Sequence, residues 1–204
     1  MAVTCPVDLD TSRLRNEVQS IYARVASAPD GEFHFHRGAA YAERFLHYDP
    51  LALARIPPFA VDSFAGVGNP LRIEPLAVGA TVVDIGCGAG TDLLLAANAV
   101  GPRGCAIGID MTDGMLRKAR AAAAEAGLAN VDLRPGDALD LPVESASADF
   151  VISNGVLNLA PDKRRAFSEV LRVLRPGGRF LYADIVVASE LPESIRRDID
   201  LWSG

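Results

Sequence analysis

The ten residues Val82-Val83-Asp84-Ile85-Gly86-Cys87-Gly88-Ala89-Gly90-Thr91 constrain this chain more than any others. β-Branched apolar residues lead to an acid, and three glycines then follow at every second position. A run able to form a helix, Thr91 to Val100, comes directly after. The pattern predicts a buried strand, a tight turn and a helix N-terminus. Glycine is required where backbone turns sharply or where a ligand approaches it. The start of the following helix presents unpaired N–H groups. A small polar ligand is therefore expected at this turn.

The spacing narrows the ligand. A dinucleotide turn reads G-x-G-x-x-G. Here Gly86, Gly88 and Gly90 alternate, and Thr91 stands where the third glycine of that pattern belongs. Asp84 would repel a pyrophosphate and suits a cation or ammonium group. With its acid, strand and helix, the segment resembles motif I of the class I methyltransferases that use S-adenosylmethionine (SAM). That ligand carries a sulfonium and an ammonium and no phosphate.

Composition excludes several other classes. The 204 residues are half apolar and carry a net charge of −6, without a Lys/Arg run, so a nucleic-acid partner is not expected. No apolar run reaches membrane-spanning length. The first residues lack the regions of a signal peptide. Cys5, Cys87 and Cys105 form neither a disulfide framework nor a zinc pattern, and no metal is expected. These features fit a cytoplasmic globular protein.

The chain divides into a tail over residues 1–9, an N-terminal helical cap over 10–70 and a core over 71–204. Asp10-Thr11-Ser12 can cap a helix with apolar positions Leu14, Val18, Ile21 and Val25. In Phe33-His34-Phe35-His36, an extended backbone would put both imidazoles on one side and both rings on the other. Two readings stand: a polar pocket edge with an acid/base histidine, or a loop anchored by its phenylalanines with surface histidines.

From Thr81 onward strands alternate with helices. Strands are expected at Thr81–Ile85, Cys105–Ile109, Val131–Arg134, Asp149–Ser153 and Arg179–Val187. Helices are expected at Thr91–Val100, Asp113–Ala126 and Pro161–Leu174. Apolar strands in this alternation imply an α/β, Rossmann-like parallel sheet with helices on both faces. A ligand then lies at the carboxyl ends of the strands. Polar residues stand there: Asp84, Asp110, Asp137 and Asn154, one at each of four consecutive strands. Asp110 is expected to accept from ribose hydroxyls, or else to cap the next helix. Asp137 and the N–H of Ala138 suit an adenine edge, or else a turn. Asn154 either binds the amino-acid end of SAM or braces its turn. The expected cofactor set is Asp84, Gly86, Cys87, Gly88, Gly90, Asp110, Met111, Asp137, Ala138 and Asn154, with S-adenosyl-L-methionine as cofactor.

The wording of three segments is similar to the arsenite methyltransferase branch: Ile107 to Leu116, Val151 to Lys163, and Asp184 to Glu193 with Trp202. That resemblance implies cysteine thiolates for As(III), a soft centre. One family cysteine would fall at Val67 in Gly66-Val67-Gly68 and another at Gly155. A third would lie beyond Gly204. The chain thus keeps the donor site and changes the acceptor. The expected function is SAM-dependent methyl transfer to an unidentified small molecule, with arsenite methylation and a non-catalytic SAM-binding module as alternatives. His34, His36 and Tyr41 are possible proton acceptors, and no catalytic residue is assigned. The resemblance also implies further C-terminal strands, so the sheet edge is expected to be covered from outside this chain, by missing segments or in a homodimer.

Overall fold

A computed structural model describes residues 10–186. The expected tail over 1–9 and Val187, the last residue of the fifth expected strand, lie outside the described residues. Five parallel strands form one sheet: β1 (Thr81–Ile85), β2 (Cys105–Asp110), β3 (Val131–Pro135), β4 (Ala148–Asn154) and β5 (Leu174–Ala183). Their order is β3-β2-β1-β4-β5. After β3 the chain crosses back to lay β4 beside β1, so the topological switch point lies between β1 and β4.

Alternation puts Val83, Ile85, Ile107, Ile109 and Val151 on one face, against Val170 and Val173 of α7 (Lys163–Val173). Val82, Phe150 and Ile152 point the other way, onto Ala96 and Val100 of α5 (Thr91–Val100). α6 (Asp113–Glu125) covers the same side through Leu116. Each of the large aliphatic side chains fully buried here contributes roughly 1.5–3 kcal/mol.

The N-terminal segment is helical, as expected. Asp10 Oδ1 accepts from the N–H groups of Ser12 and Arg13 and starts α1 (Thr11–Ser27). Short helices follow: α2 (Gly38–Arg44), α3 (Pro50–Leu53) and α4 (Pro58–Asp62). Buried Val25, Tyr48, Val61 and Phe64 of this segment share one cluster with Ala89, Leu94 and Met115. The N-terminal helices thus pack directly on the Gly-rich turn and on α6.

Two elements differ from expectation by more than one residue at an end. α7 begins after Asp162, whose carboxylate accepts from the Arg165 N–H, so Pro161 precedes the cap. β5 begins at Leu174, opposite Ala148, and ends at Ala183, opposite Asn154. Pro176-Gly177-Gly178 lies where the pairing register shifts, so the breaker interrupts the ladder without ending it. Beyond Ala183 the strand runs out because β4 offers no further partner.

Candidate functional site

The turn after β1 has the backbone that its spacing predicts. Gly86, Gly88 and Gly90 have φ of +69°, +53° and +98°, all in the left-handed region. A Cβ on Gly86 would sit 2.4 Å from Val156 Cγ2, whereas one on Gly88 would meet nothing within 4 Å. The Gly86 and Cys87 N–H groups donate to the Ile109 carbonyl at 2.8 and 3.0 Å. The Gly88 N–H donates to Asp110 Oδ2 at 2.9 Å, and the Thr112 N–H donates to Asp110 Oδ1 at 2.7 Å. Asp110 therefore shapes the turn and also braces the start of α6.

A cavity of about 280 Å³ opens on this turn. That is near the lower end, about 300 Å³, of small-molecule sites. Its lining includes Asp84, Gly86, Cys87, Gly88, Asp110, Met111, Asp137, Ala138 and Asn154. Nine of the ten expected cofactor residues thus meet in one place. Gly90 does not line the cavity; it precedes α5 and packs towards Ala119, 3.3 Å from where its Cβ would be. Its glycine serves the helix start and the close approach of α6.

α1 forms the cavity's outer wall with Leu14, Arg15, Val18 and Tyr22. It is fastened at two points: Arg15 Nη1 lies 3.1 Å from Asp137 Oδ2, and Gln19 Nε2 donates to the Met111 carbonyl at 2.9 Å. Asp137 Oδ1 also accepts from the Leu139 N–H. Asp137 therefore has a turn role and an ion pair in addition to its place in the wall.

The electrostatics centre on Asp84. Its carboxyl is 3% exposed, and Oδ2 has no hydrogen-bond partner. Burial, then the negative charges of Asp92 and Asp110, push its pKa well up, with the Leu93 N–H offsetting part of the shift. Burial also raises Asp92 and Asp110. Burial and the nearby Asp110 push the Tyr22 phenol up to about 12. An uncompensated buried carboxylate is costly, and a cation placed against it removes that cost. The residues thus fit a ligand that brings positive charge and no phosphate.

Beyond β1 the wall changes character. Around the end of β4 it is made by Phe64, Ala65, Gly155, Val156, Leu159 and Ala160, none of which titrates. Gly155 has φ +70°, and a Cβ there would meet Val67 Cγ1 at 3.2 Å. The two positions where the arsenite branch is expected to carry thiolates are therefore neighbours, and here they present an isopropyl group and a hydrogen.

Among the histidine candidates, the anchored-loop arrangement is observed. Phe33 and Phe35 are partly buried against the N-terminal cluster, while His34 and His36 are exposed. His36 stacks on Tyr41 with centroids 5.2 Å apart. None of His34, His36 and Tyr41 lines the cavity. Asn154 lines it, yet its amide is spent on protein groups: Oδ1 accepts from the Val67 and Gly68 N–H groups at 2.8 and 3.1 Å. Asp92, Tyr22 and Tyr48 were not anticipated. A lone acid, Asp92, in the apolar run of α5 was a signal that could have found one of them.

A family model described as Methyltransferase domain matches residues 76–203. The chain belongs to this methyltransferase family. Within it, the chain falls in the class I SAM-dependent methyltransferase family and is related to the arsenite methyltransferases. The arsenite methyltransferase of Halobacterium salinarum is 38% identical over 98% of this chain and 54% of that protein. The crystal structure of an arsenic(III) S-adenosylmethionine methyltransferase from Chlamydomonas reinhardtii matches with a TM-score of 0.64 and 37% identity. It covers 71% of this chain and 51% of that one. Nocamycin O-methyltransferase from Saccharothrix syringae is 41% identical over 50% of this chain and 36% of that protein. This chain spans about half the length of the arsenite methyltransferases it matches. Family membership brings S-adenosyl-L-methionine as its cofactor.

Proposed function

We propose that this chain carries the donor site of an enzyme that transfers a methyl group from SAM to a small, uncharged organic acceptor. The observation that carries the reading is the unpartnered Asp84 Oδ2, buried in the cavity wall beside a turn of three left-handed glycines. When bound, SAM supplies an electrophilic methyl group on a sulfonium. Asp84 holds the ammonium end, and Gly86, Cys87 and Gly88 give it close backbone approach. Asp110 accepts from the ribose hydroxyls. Met111, Asp137 and Ala138 border the adenine, and α1 excludes water. Asn154 acts through the turn it braces.

The acceptor side is the apolar wall around Gly155 and Val156. None of the side chains named there titrates, so the acceptor is its own nucleophile and the protein contributes proximity and alignment. An apolar wall favours an organic acceptor over a thiolate-bound metalloid. Arsenite methylation remains the second reading, because a relative that matches nearly the whole chain carries that name. Calorimetric titration with SAM and with NAD tests the donor half. SAM is expected to bind and NAD is not; the reverse would overturn the reading.

Asp110 gives a sharper check. Asp110→Ala removes the acceptor of both the Gly88 and Thr112 N–H groups and the partner of the ribose. SAM affinity should fall roughly a hundredfold, the scale of about 3 kcal/mol for losing hydrogen bonds to a charged group. Unchanged affinity by calorimetry would remove Asp110 from the site.

A further inference from the structure

Tyr48, Asp92 and Asn154 come from three separate parts of the chain and meet beside the cavity. Tyr48 follows α2, Asp92 is the second residue of α5, and Asn154 ends β4. Tyr48 Oη donates to Asp92 Oδ1 at 2.6 Å. Asn154 Nδ2 donates to Asp92 Oδ2 and to the Gly68 carbonyl, both at 2.9 Å, and lies 3.1 Å from Tyr48 Oη. With Asn154 Oδ1 accepting from Val67 and Gly68, both polar atoms of the amide and both oxygens of Asp92 are engaged.

The object held is the 66–68 turn. A Cβ on Gly66 would sit 2.4 Å from Asn154 Nδ2, and one on Gly68 would sit 2.6 Å from Ala183 Cβ. The turn is thus wedged between the ends of β4 and β5. It carries Val67, which faces Gly155 in the apolar wall. The other end of the network reaches the donor side, because Asp92 lines the same cavity as Asp84. Burial and Asp92 hold the Tyr48 phenol protonated, so it stays a donor.

We propose that Tyr48, Asp92 and Asn154 act as one positioning unit that couples occupancy of the donor half to the rigidity of the 66–68 turn on the acceptor side. It rests on the donor-site reading above. The coupling is electrostatic. A cation beside Asp84 favours the ionised form of its neighbour Asp92. Hydrogen bonds accepted by an ionised carboxylate are the stronger ones. Tightened bonds from Tyr48 and Asn154 then fix the turn before the acceptor arrives.

The test is amide hydrogen exchange at Val67 and Gly68, with and without SAM, in the wild type, Tyr48→Phe and Asp92→Asn, alongside SAM titration by calorimetry. In the wild type, SAM should slow exchange at both amides roughly tenfold. Tyr48→Phe should speed exchange there by a similar factor in the free protein. It should abolish most of the protection by SAM and change SAM affinity by less than about threefold. Asp92→Asn keeps the shape and loses the charge, so it too should lose the SAM-dependent protection. Exchange at Val67 and Gly68 that is unaltered in Tyr48→Phe, or that rises equally through β1, would overturn the proposal. A wild type that fails to bind SAM would count against the donor reading, while the comparison of free proteins still decides whether this unit holds the turn.

Discussion

Asp84→Asn is expected to weaken SAM binding by about a hundredfold to a thousandfold and, at the same time, to raise the melting temperature of the free protein. The two effects have one cause. Asp84 is buried, Oδ2 has no partner, and its neighbours include Asp92 and Asp110. Removing one partner of a buried ion pair costs about 3–5 kcal/mol. That sets the loss of affinity for a cationic ligand. In the free protein the same carboxylate lacks its partner. Its folded pKa is raised, so its contribution to stability is present at low pH and is lost as pH rises through that raised value. Above it, the wild type bears a buried charge that the asparagine lacks. Each kcal/mol recovered should raise the melting temperature by about 2–4 °C in a protein of this size. Binding runs the other way with pH. SAM affinity of the wild type should fall as pH drops through the raised pKa of Asp84, and Asp84→Asn should flatten that dependence. Calorimetry across pH, with thermal melts of the free proteins, checks both. Loss of SAM affinity together with a lower melting temperature would show that Asp84 is structural.

Gly86→Ala and Gly88→Ala should separate folding from binding. Both residues are left-handed, so each alanine carries backbone strain. At Gly86 the new Cβ would also meet Val156, at 2.4 Å from Cγ2 and 2.8 Å from Cγ1. A β-branched side chain has little rotamer freedom to yield. Strain and overpacking together should cost about 3 kcal/mol or more. The melting temperature should drop by roughly 6–12 °C. Adding Val156→Ala should restore part of it. At Gly88 the new Cβ meets no protein atom within 4 Å, in a residue that lines the cavity. Its cost to the free protein should be only about 1 kcal/mol, while SAM affinity falls at least tenfold. Equal melting temperatures for the two variants would contradict this assignment of roles.

The parts legible from sequence were those set by periodicity and by turn chemistry. β1, α5 and β2 lie within one residue of expectation because apolar runs are bounded there by glycine, proline or an acid. The residues at the strand ends converge because a parallel sheet aligns its carboxyl ends. What sequence did not reveal is pairing between distant polar groups. Asn154 and Asp92 are 62 positions apart, and Tyr48 is 44 from Asp92. Nothing local marks them as one network. The Arg15–Asp137 pair was hidden for the same reason, since it depends on how α1 lies across the cleft. The His34–His36 pattern was the opposite case. Phe33 and Phe35 pack inward and His34 and His36 are exposed, and only packing decides which side faces a pocket.

Methyl transfer from labelled SAM into a small-molecule cell extract, with As(III) as a separate candidate acceptor and products identified by mass spectrometry, tests the central claim most directly. The account predicts S-adenosylhomocysteine together with label in an uncharged organic product, and little label on arsenic. SAM that binds without turnover in either mixture would contradict it in favour of a binding module, and label found only on arsenic would contradict it in favour of arsenite methylation.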